Sequence, residues 1–226
     1  TGTTIINAKI ASTTQNITWT SVVGVNVSDN NLTKTAVNNW GNGGASSVQQ
    51  ITSGDGYVEF LTNETNTAKV GGLSNGVGNL SNGDLDQEYT NINFGFGLTP
   101  SGQIYIVETA ALKYGPSGSY VPGDIFRVTV ESGVVKYYQN GTLLYTSSEK
   151  PTYPLLFDTA LHHTGSTITN AKISGNNISA LPPAFLTLEA NDPILPDATE
   201  ESIFMNGSQC DNWYHDTSDG MIYYAF

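Results

Sequence analysis

Basic residues are scarce in this 226-residue chain, cysteine is nearly absent, and charge of either sign is thin. Lys and Arg total 8 against 20 Asp and Glu, which sets the formal net charge at −12. Such a balance repels polyanions, so nucleic acid and the face of an anionic membrane are excluded as partners. Charged residues are 12% of the chain, roughly half the share of an average soluble domain. The single cysteine, Cys210, excludes an intrachain disulfide, so packing must hold the fold together. No run approaches the roughly 18 consecutive apolar residues that would cross a membrane, and membrane insertion is not expected. No segment of ten or more residues carries the 3.6-residue apolar period of a helix.

Thr, Ser, Asn and Gly fill the space that charge leaves, a turn-rich composition suited to an exterior β protein. Eight Asn-x-Ser/Thr sequons occur, close to what that composition yields by chance, and they mark surface loops. The clearest pattern is residues 123–147, GDIFRVTVESGVVKYYQNGTLLYTS. Phe126, Val128 and Val130 alternate with Ile125, Arg127 and Thr129, the two-residue period of a strand with one buried face. A turn follows at Glu131-Ser132-Gly133, then a strand over 134–139. Asn140-Gly141 supplies the two positive-φ positions of a type I′ turn, and residues 142–146 return. A meander of this kind needs a second sheet to cover its apolar face.

Further strands are expected over residues 19–27, 32–36, 57–61, 69–73, 91–98, 103–108 and 154–160. About a dozen short strands at regular spacing argue an all-β, antiparallel two-sheet sandwich. Residues 2–11, GTTIINAKIA, match residues 165–174, GSTITNAKIS, at seven of ten positions. Both read as the closing strand of one kind of module, with Ile168, Ala171 and Ile173 inward and Lys172 outward. Residues 1–11 are then expected to end a preceding repeat, or to add to a neighbouring subunit's sheet. Residues 12–175 would form one whole domain. Residues 176–200, broken by Pro182, Pro183, Pro193 and Pro196, read as an extended connector. Residues 201–226 read as a small aromatic hairpin.

The order of WTSVVGVNV, GDGYVEF, GDIFRVTV, VVKYYQNGTLLYTS and PLLFDTAL resembles modules of the concanavalin A-like lectin and glucanase superfamily. The Asn-Gly hairpin is similar to the laminin-G-like branch as well. The resemblance covers about residues 12–174 and implies a jelly-roll sandwich, a fold shared by lectins, enzymes, linkers and capsid parts. The terminal segment resembles the D-x-W-x-D-x-x-x-G-x-x-Y-Y hairpins of bacteriophage tail-fibre and related appendage proteins, here at Asp211, Trp213, His215 or Asp216, Gly220, Tyr223 and Tyr224. A lone aromatic hairpin is not stable in water. Trp213, Tyr214, Tyr223, Tyr224 and Phe226 are therefore expected to pack on another surface, in self-association or against other fibre or virion subunits.

Chemistry is sparse. Retaining glucanases of the superfamily carry a Glu-x-Asp-x-x-Glu run that is missing here; Glu59 and Glu131 stand alone, and His162-His163 has no acid at a metal-ligand spacing, so the chain is not expected to be an enzyme. Asp84, Asp86 and Glu88 alternate in a long polar loop and are the candidate ligands for calcium, with no other cofactor expected. A glycan at the cell surface is the candidate small partner. Trp40 with Asn42 and Asp55, read as lying in neighbouring loops, and Tyr114 with Tyr120 around a glycine loop, combine aromatic platforms with directional polar groups. Arg127 is expected to pair with Asp124 or another acid near the sheet edge. The function these features favour is a structural and recognition component of an extracellular fibre, a phage tail fibre or virion appendage with a lectin-like domain. The alternative is a bacterial surface adhesin or a non-catalytic carbohydrate-binding module of a secreted protein.

Overall fold

A computed structural model describes residues 13–76 and 88–179, together with four short strands between residues 204 and 224. Two compact units are present, residues 1–181 and 182–226. The first contains strands β1 (Thr13–Asn16), β2 (Trp19–Val23), β3 (Val25–Ser28), β4 (Asn31–Lys34), β5 (Gly44–Ile51), β6 (Gly56–Leu61) and β7 (Lys69–Ser74). A 3₁₀ turn, Tyr89–Asn91, precedes β8 (Phe94–Leu98), β9 (Ile104–Glu108), β10 (Ala111–Tyr114), β11 (Phe126–Glu131), β12 (Val134–Gln139), β13 (Thr142–Thr146), β14 (Leu155–Leu161) and β15 (Thr167–Gly175). They form two antiparallel sheets. The first runs β13-β12-β11-β6-β15-β4-β3 with β1 beside the second half of β15; the other runs β10-β9-β8-β7-β14-β5-β2.

The expected meander is the edge of the first sheet. Phe126, Val128 and Val130 face inward, and Val135 and Tyr137 continue that face on β12. Asn140 at φ 50° and Gly141 at φ 78° make the expected tight turn. The facing sheet contributes Phe94, Phe96, Leu98, Ile104, Ile106 and Phe157 to the same core. Rings meet between the layers: Phe60 lies 5.6 Å from Phe157, and Phe96 lies 5.2 Å from Phe126. Each such buried aromatic contributes about 1.5–3 kcal/mol by leaving water, and together they set the separation of the sheets.

Three departures from the sequence reading have local causes. Residues 19–27 are not one strand. Gly24, at φ 58°, turns the chain from β2 in one sheet to β3 in the other, and a Cβ there would lie 2.0 Å from the Asn42 carbonyl oxygen. Strand β5 goes unnoticed in the sequence because two of its inward residues, Ser47 and Gln49, are polar. They are satisfied in place: the Ser47 hydroxyl donates to the Gln49 carbonyl at 2.6 Å and accepts the Phe157 N–H at 2.9 Å. The strand read as closing the module, β15, is central, held between β6 on one side and β4 and β1 on the other. Ile168, Ala171 and Ile173 are buried in it as expected, and an irregular register between Thr169 and Lys172 sets their spacing.

The sandwich runs past residue 175. Ile178 bridges to Ile51, and the Ser179 N–H donates to the Gln50 carbonyl at 2.8 Å, so the first four residues assigned to the connector belong to the domain. In the second unit, β16 (Phe204–Met205) pairs with β17 (Ser208–Gln209), and β18 (Trp213–Asp216) pairs with β19 (Met221–Tyr224). Trp213 stands opposite Tyr224 and Tyr214 opposite Tyr223, the register of the expected hairpin. Phe226, Cys210 and the repeat-like residues 1–11 lie outside the described residues.

Candidate functional site

The outer face of the second sheet carries a groove made by what one interior strand, β8, lacks. In β8, Phe94, Phe96 and Leu98 point into the core, so Gly97 faces outward and leaves the floor bare. Strand order places Tyr105, Val107 and Leu112 on β9 and β10 along one side, and Val70 on β7 along the other. Trp40 and Tyr89 pack over Val70, Ile92 and Ala160 to raise the second wall. The groove has a volume of about 220 Å³. The 3₁₀ turn sets Tyr89 with its ring centroid 4.9 Å from that of Trp40, and His162 braces Trp40 from a second direction at 5.1 Å. Burial, then the neighbouring His163 and Lys34, hold the His162 pKa below the usual imidazole value, so the ring packs as a neutral body near neutral pH. Trp40, Tyr89 and Tyr105 are all half-buried.

The other residues expected to bind glycan are spread over the domain. Asn42 serves the fold: its Oδ1 accepts from Lys34 Nζ at 2.6 Å, and its amide donates to the Val37 carbonyl at 3.1 Å. Lys34 is buried and donates also to the Asn39 and Leu161 carbonyls, and burial depresses its pKa. Asp55 and Trp40 flank opposite ends of the eight-residue β5, a separation of about 25 Å for a strand of that length. Their loops are therefore not neighbours. Asp55 instead fastens the β11–β12 turn by accepting the Ser132 N–H at 2.7 Å. Tyr114 is exposed and stacks on Tyr145 at 5.4 Å, joining the edges of the two sheets. Tyr120 is 4% exposed, lies edge-on to Phe126, and has its phenol pushed up to about 12 by burial, so it is a core ring and no platform.

The outer face of the first sheet holds the two acids weighed as catalytic. Arg127 grips Glu59 Oε2 through Nε at 2.8 Å and through Nη2, and its guanidinium carbon lies 4.2 Å from the Tyr57 ring centre. The expected partner Asp124 is used elsewhere: it accepts from the Gln139 and Asn140 amides and the Val121 N–H. Glu131 accepts from Lys136 Nζ at 2.7 Å, Thr129 at 3.0 Å and Tyr138 at 3.1 Å. The Lys136 bond holds the Glu131 carboxyl below its usual range. His163 Nδ1 accepts the Ala68 N–H at 2.9 Å. Among the described residues no group of three or more His, Cys, Asp or Glu could hold a metal ion, and Asp84 and Asp86 lie outside those residues. Also among the described residues, no helix is long and apolar enough to cross a membrane.

Sequence reasoning missed Tyr89, Gly97, Tyr105 and Leu112. The signal was present in FGFGL, where glycine takes the alternate positions of a strand and strips one face of side chains.

No family model and no curated protein matches the chain. Solved structures do. The metal-free form of the Emp46p carbohydrate recognition domain aligns over 70% of this chain and 88% of its own, at 11% identity and a TM-score of 0.50. The TRIM65 PSpry domain aligns over 68% of this chain and 88% of its own, at 15% identity and a TM-score of 0.47. The alginate lyase AlgAT5, of polysaccharide lyase family 7, aligns over 62% and 68%, at 12% identity and a TM-score of 0.39. At such identities the likeness is one of fold. The first unit of this chain is a two-sheet antiparallel β-sandwich with the fold of the Emp46p carbohydrate recognition domain.

Proposed function

We propose that the protein is a non-catalytic glycan-recognition component of an extracellular fibre, reading sugar with the Gly97-floored groove. The observation that carries this reading is the arrangement of Trp40, Tyr89 and Tyr105 around a strand face without side chains. Sugar C–H faces stack on rings of this kind, and a bare floor lets the chain of sugars approach the sheet closely. The walls sit on packed strands and a braced turn, so little ordering entropy is lost on binding. A non-catalytic role is supported by the engagement of Glu59 through Oε2 with Arg127, and of both Glu131 oxygens with Lys136, Thr129 and Tyr138. Emp46p's carbohydrate recognition domain uses the same fold.

The fibre setting, and within it a phage tail fibre or virion appendage, is supported by three features of the sequence. They are the low-charge Thr, Asn and Gly composition, the repeat of residues 165–174 near the start of the chain, and the appendage-like terminal hairpin. A glycan array probed with the full chain tests the recognition claim. Selective binding that falls at least tenfold in Trp40→Ala and Tyr105→Ala is expected, and a blank array overturns it. Solution mass tests the assembly claim: the full chain is expected to be oligomeric and a chain ending at Ser179 monomeric, while a monomeric full chain contradicts it.

A further inference from the structure

We propose a second ligand site in this jelly roll, an end cavity in which buried Glu108 accepts hydroxyl groups from a neutral, polyhydroxylated sugar. It lies where β7 ends, β8 begins and β9 turns into β10, and it is independent of the aromatic groove. The cavity has a volume of about 380 Å³ and is lined by Glu108, Lys113, Glu149 and Lys150 together with Asn75 and Asn93. That volume falls in the range of small-molecule sites, roughly 300–1,000 Å³.

Glu108 carries the inference. It is 2% exposed, and its Oε1 accepts the Tyr137 hydroxyl at 2.9 Å. Its Oε2 is buried and, among the described residues, has no hydrogen-bond partner. A buried carboxylate oxygen left without a donor is strongly unfavourable, and native proteins rarely tolerate one. Here the residue lines a polar cavity large enough to admit a donor. Its neighbours indicate which kind. Glu108 and Glu149 are balanced by Lys113 and Lys150, and Lys113 pairs with Glu149 at 3.2 Å on the rim. A lining with equal numbers of acids and bases favours a neutral ligand over an ion. Because it offers acceptors at the carboxylates and donors at the ammonium groups, the ligand must both donate and accept at short intervals, as the hydroxyls of a sugar do. The Asn93 side-chain oxygen accepts the Asn75 N–H at 2.7 Å, which fixes that wall in advance.

Amide NMR of the full chain tests this with glucose, galactose and mannose as probes, and with glucosamine and calcium chloride as comparison arms. Saturable shifts at Thr109, Ala111 and Lys113 are expected with at least one neutral hexose, unchanged in Trp40→Ala. Glu108→Gln, which keeps an oxygen for Tyr137 and replaces the free acceptor with a donor, should weaken binding at least tenfold. Lys150→Ala, a change at an exposed rim position, should weaken it severalfold in a protein whose fold is untouched. The proposal is overturned if no neutral hexose shifts these amides, if only glucosamine or calcium does, or if binding survives both substitutions.

Discussion

The hydroxyl of Tyr137, on the first sheet, donates to Oε1 of Glu108, on the second, at 2.9 Å. Both residues are buried, and the bond joins the two layers inside the domain. Tyr137→Phe preserves the ring that packs at 5.4 Å on Phe96 and removes only the donor. Glu108 is then left, among the described residues, with neither oxygen partnered. A loss of about 1–3 kcal/mol is expected for a buried acceptor so abandoned, read as a lower urea midpoint at an unchanged m-value.

The same tyrosine shapes the alkaline limit. Burial first, then the nearby Glu108, push the Tyr137 phenol well above its ordinary value, and burial lifts Tyr120 to about 12. The folded state thus holds these protons more tightly than the unfolded chain does. Their contribution is complete below the unfolded tyrosine pKa of about 10 and is lost as pH rises from there through the folded values. Stability measured by urea between neutral pH and pH 11 should fall steeply only in the alkaline part, and less steeply in Tyr137→Phe. A slope that Tyr137→Phe leaves unaltered contradicts this.

Glu64 and Lys69 form a partly buried ion pair at the base of β7, with the Lys69 side chain fully enclosed. Burial raises the Glu64 pKa, but the charge of Lys69 and hydrogen bonds from Lys69, Thr167 and Thr67 outweigh it and leave the carboxyl below its usual range. The stabilisation is therefore present above the unfolded glutamate pKa of about 4.3 and disappears as pH falls through the lower folded value. Glu64→Ala removes the counter-charge of the buried Lys69 ammonium, leaving it the Thr62 hydroxyl, and also strips the acceptor of the Thr167 N–H. About 3 kcal/mol of destabilisation is expected, and equal stability of variant and parent at pH 7 would contradict it.

Arg127 and Glu59 allow a test that separates shape from charge. Arg127→Lys keeps one positive charge, but an ammonium cannot reproduce the two-nitrogen grip on Glu59 or lie flat on Tyr57. The lysine variant should lose about 1 kcal/mol or more, comparable with Arg127→Met. Full recovery by lysine would show that charge alone matters there.

The architecture was readable where alternation was strong and turn chemistry explicit. Phe126, Val128 and Val130 with Asn140-Gly141 specify a meander in almost any context, because period and turn agree. Strand β5 was opaque because Ser47 and Gln49 face the core, where Phe157 and Asn16, distant in the chain, supply hydrogen-bond partners. The groove was legible only in part. Trp40 announces itself by type, but Tyr89, Tyr105 and Leu112 reach it through strand order, which no local pattern contains. Asp55 misled for the converse reason, since closeness along the chain to Trp40 hid the full length of β5 between them. Glu108 could not be singled out at all, because its partner Tyr137 is 29 residues away on the facing sheet.

The most direct test of the central claim uses tryptophan fluorescence. Trp19 is buried in the core and Trp40 is half-buried in the groove wall, so a sugar chain stacked in the groove changes the environment of Trp40 and leaves that of Trp19 alone. Titrating the full chain with the glycan selected on the array should give a saturable emission change that is kept in Trp19→Phe and lost in Trp40→Phe. A saturable change that survives Trp40→Phe, or array binding with no change in emission, would contradict recognition by this groove.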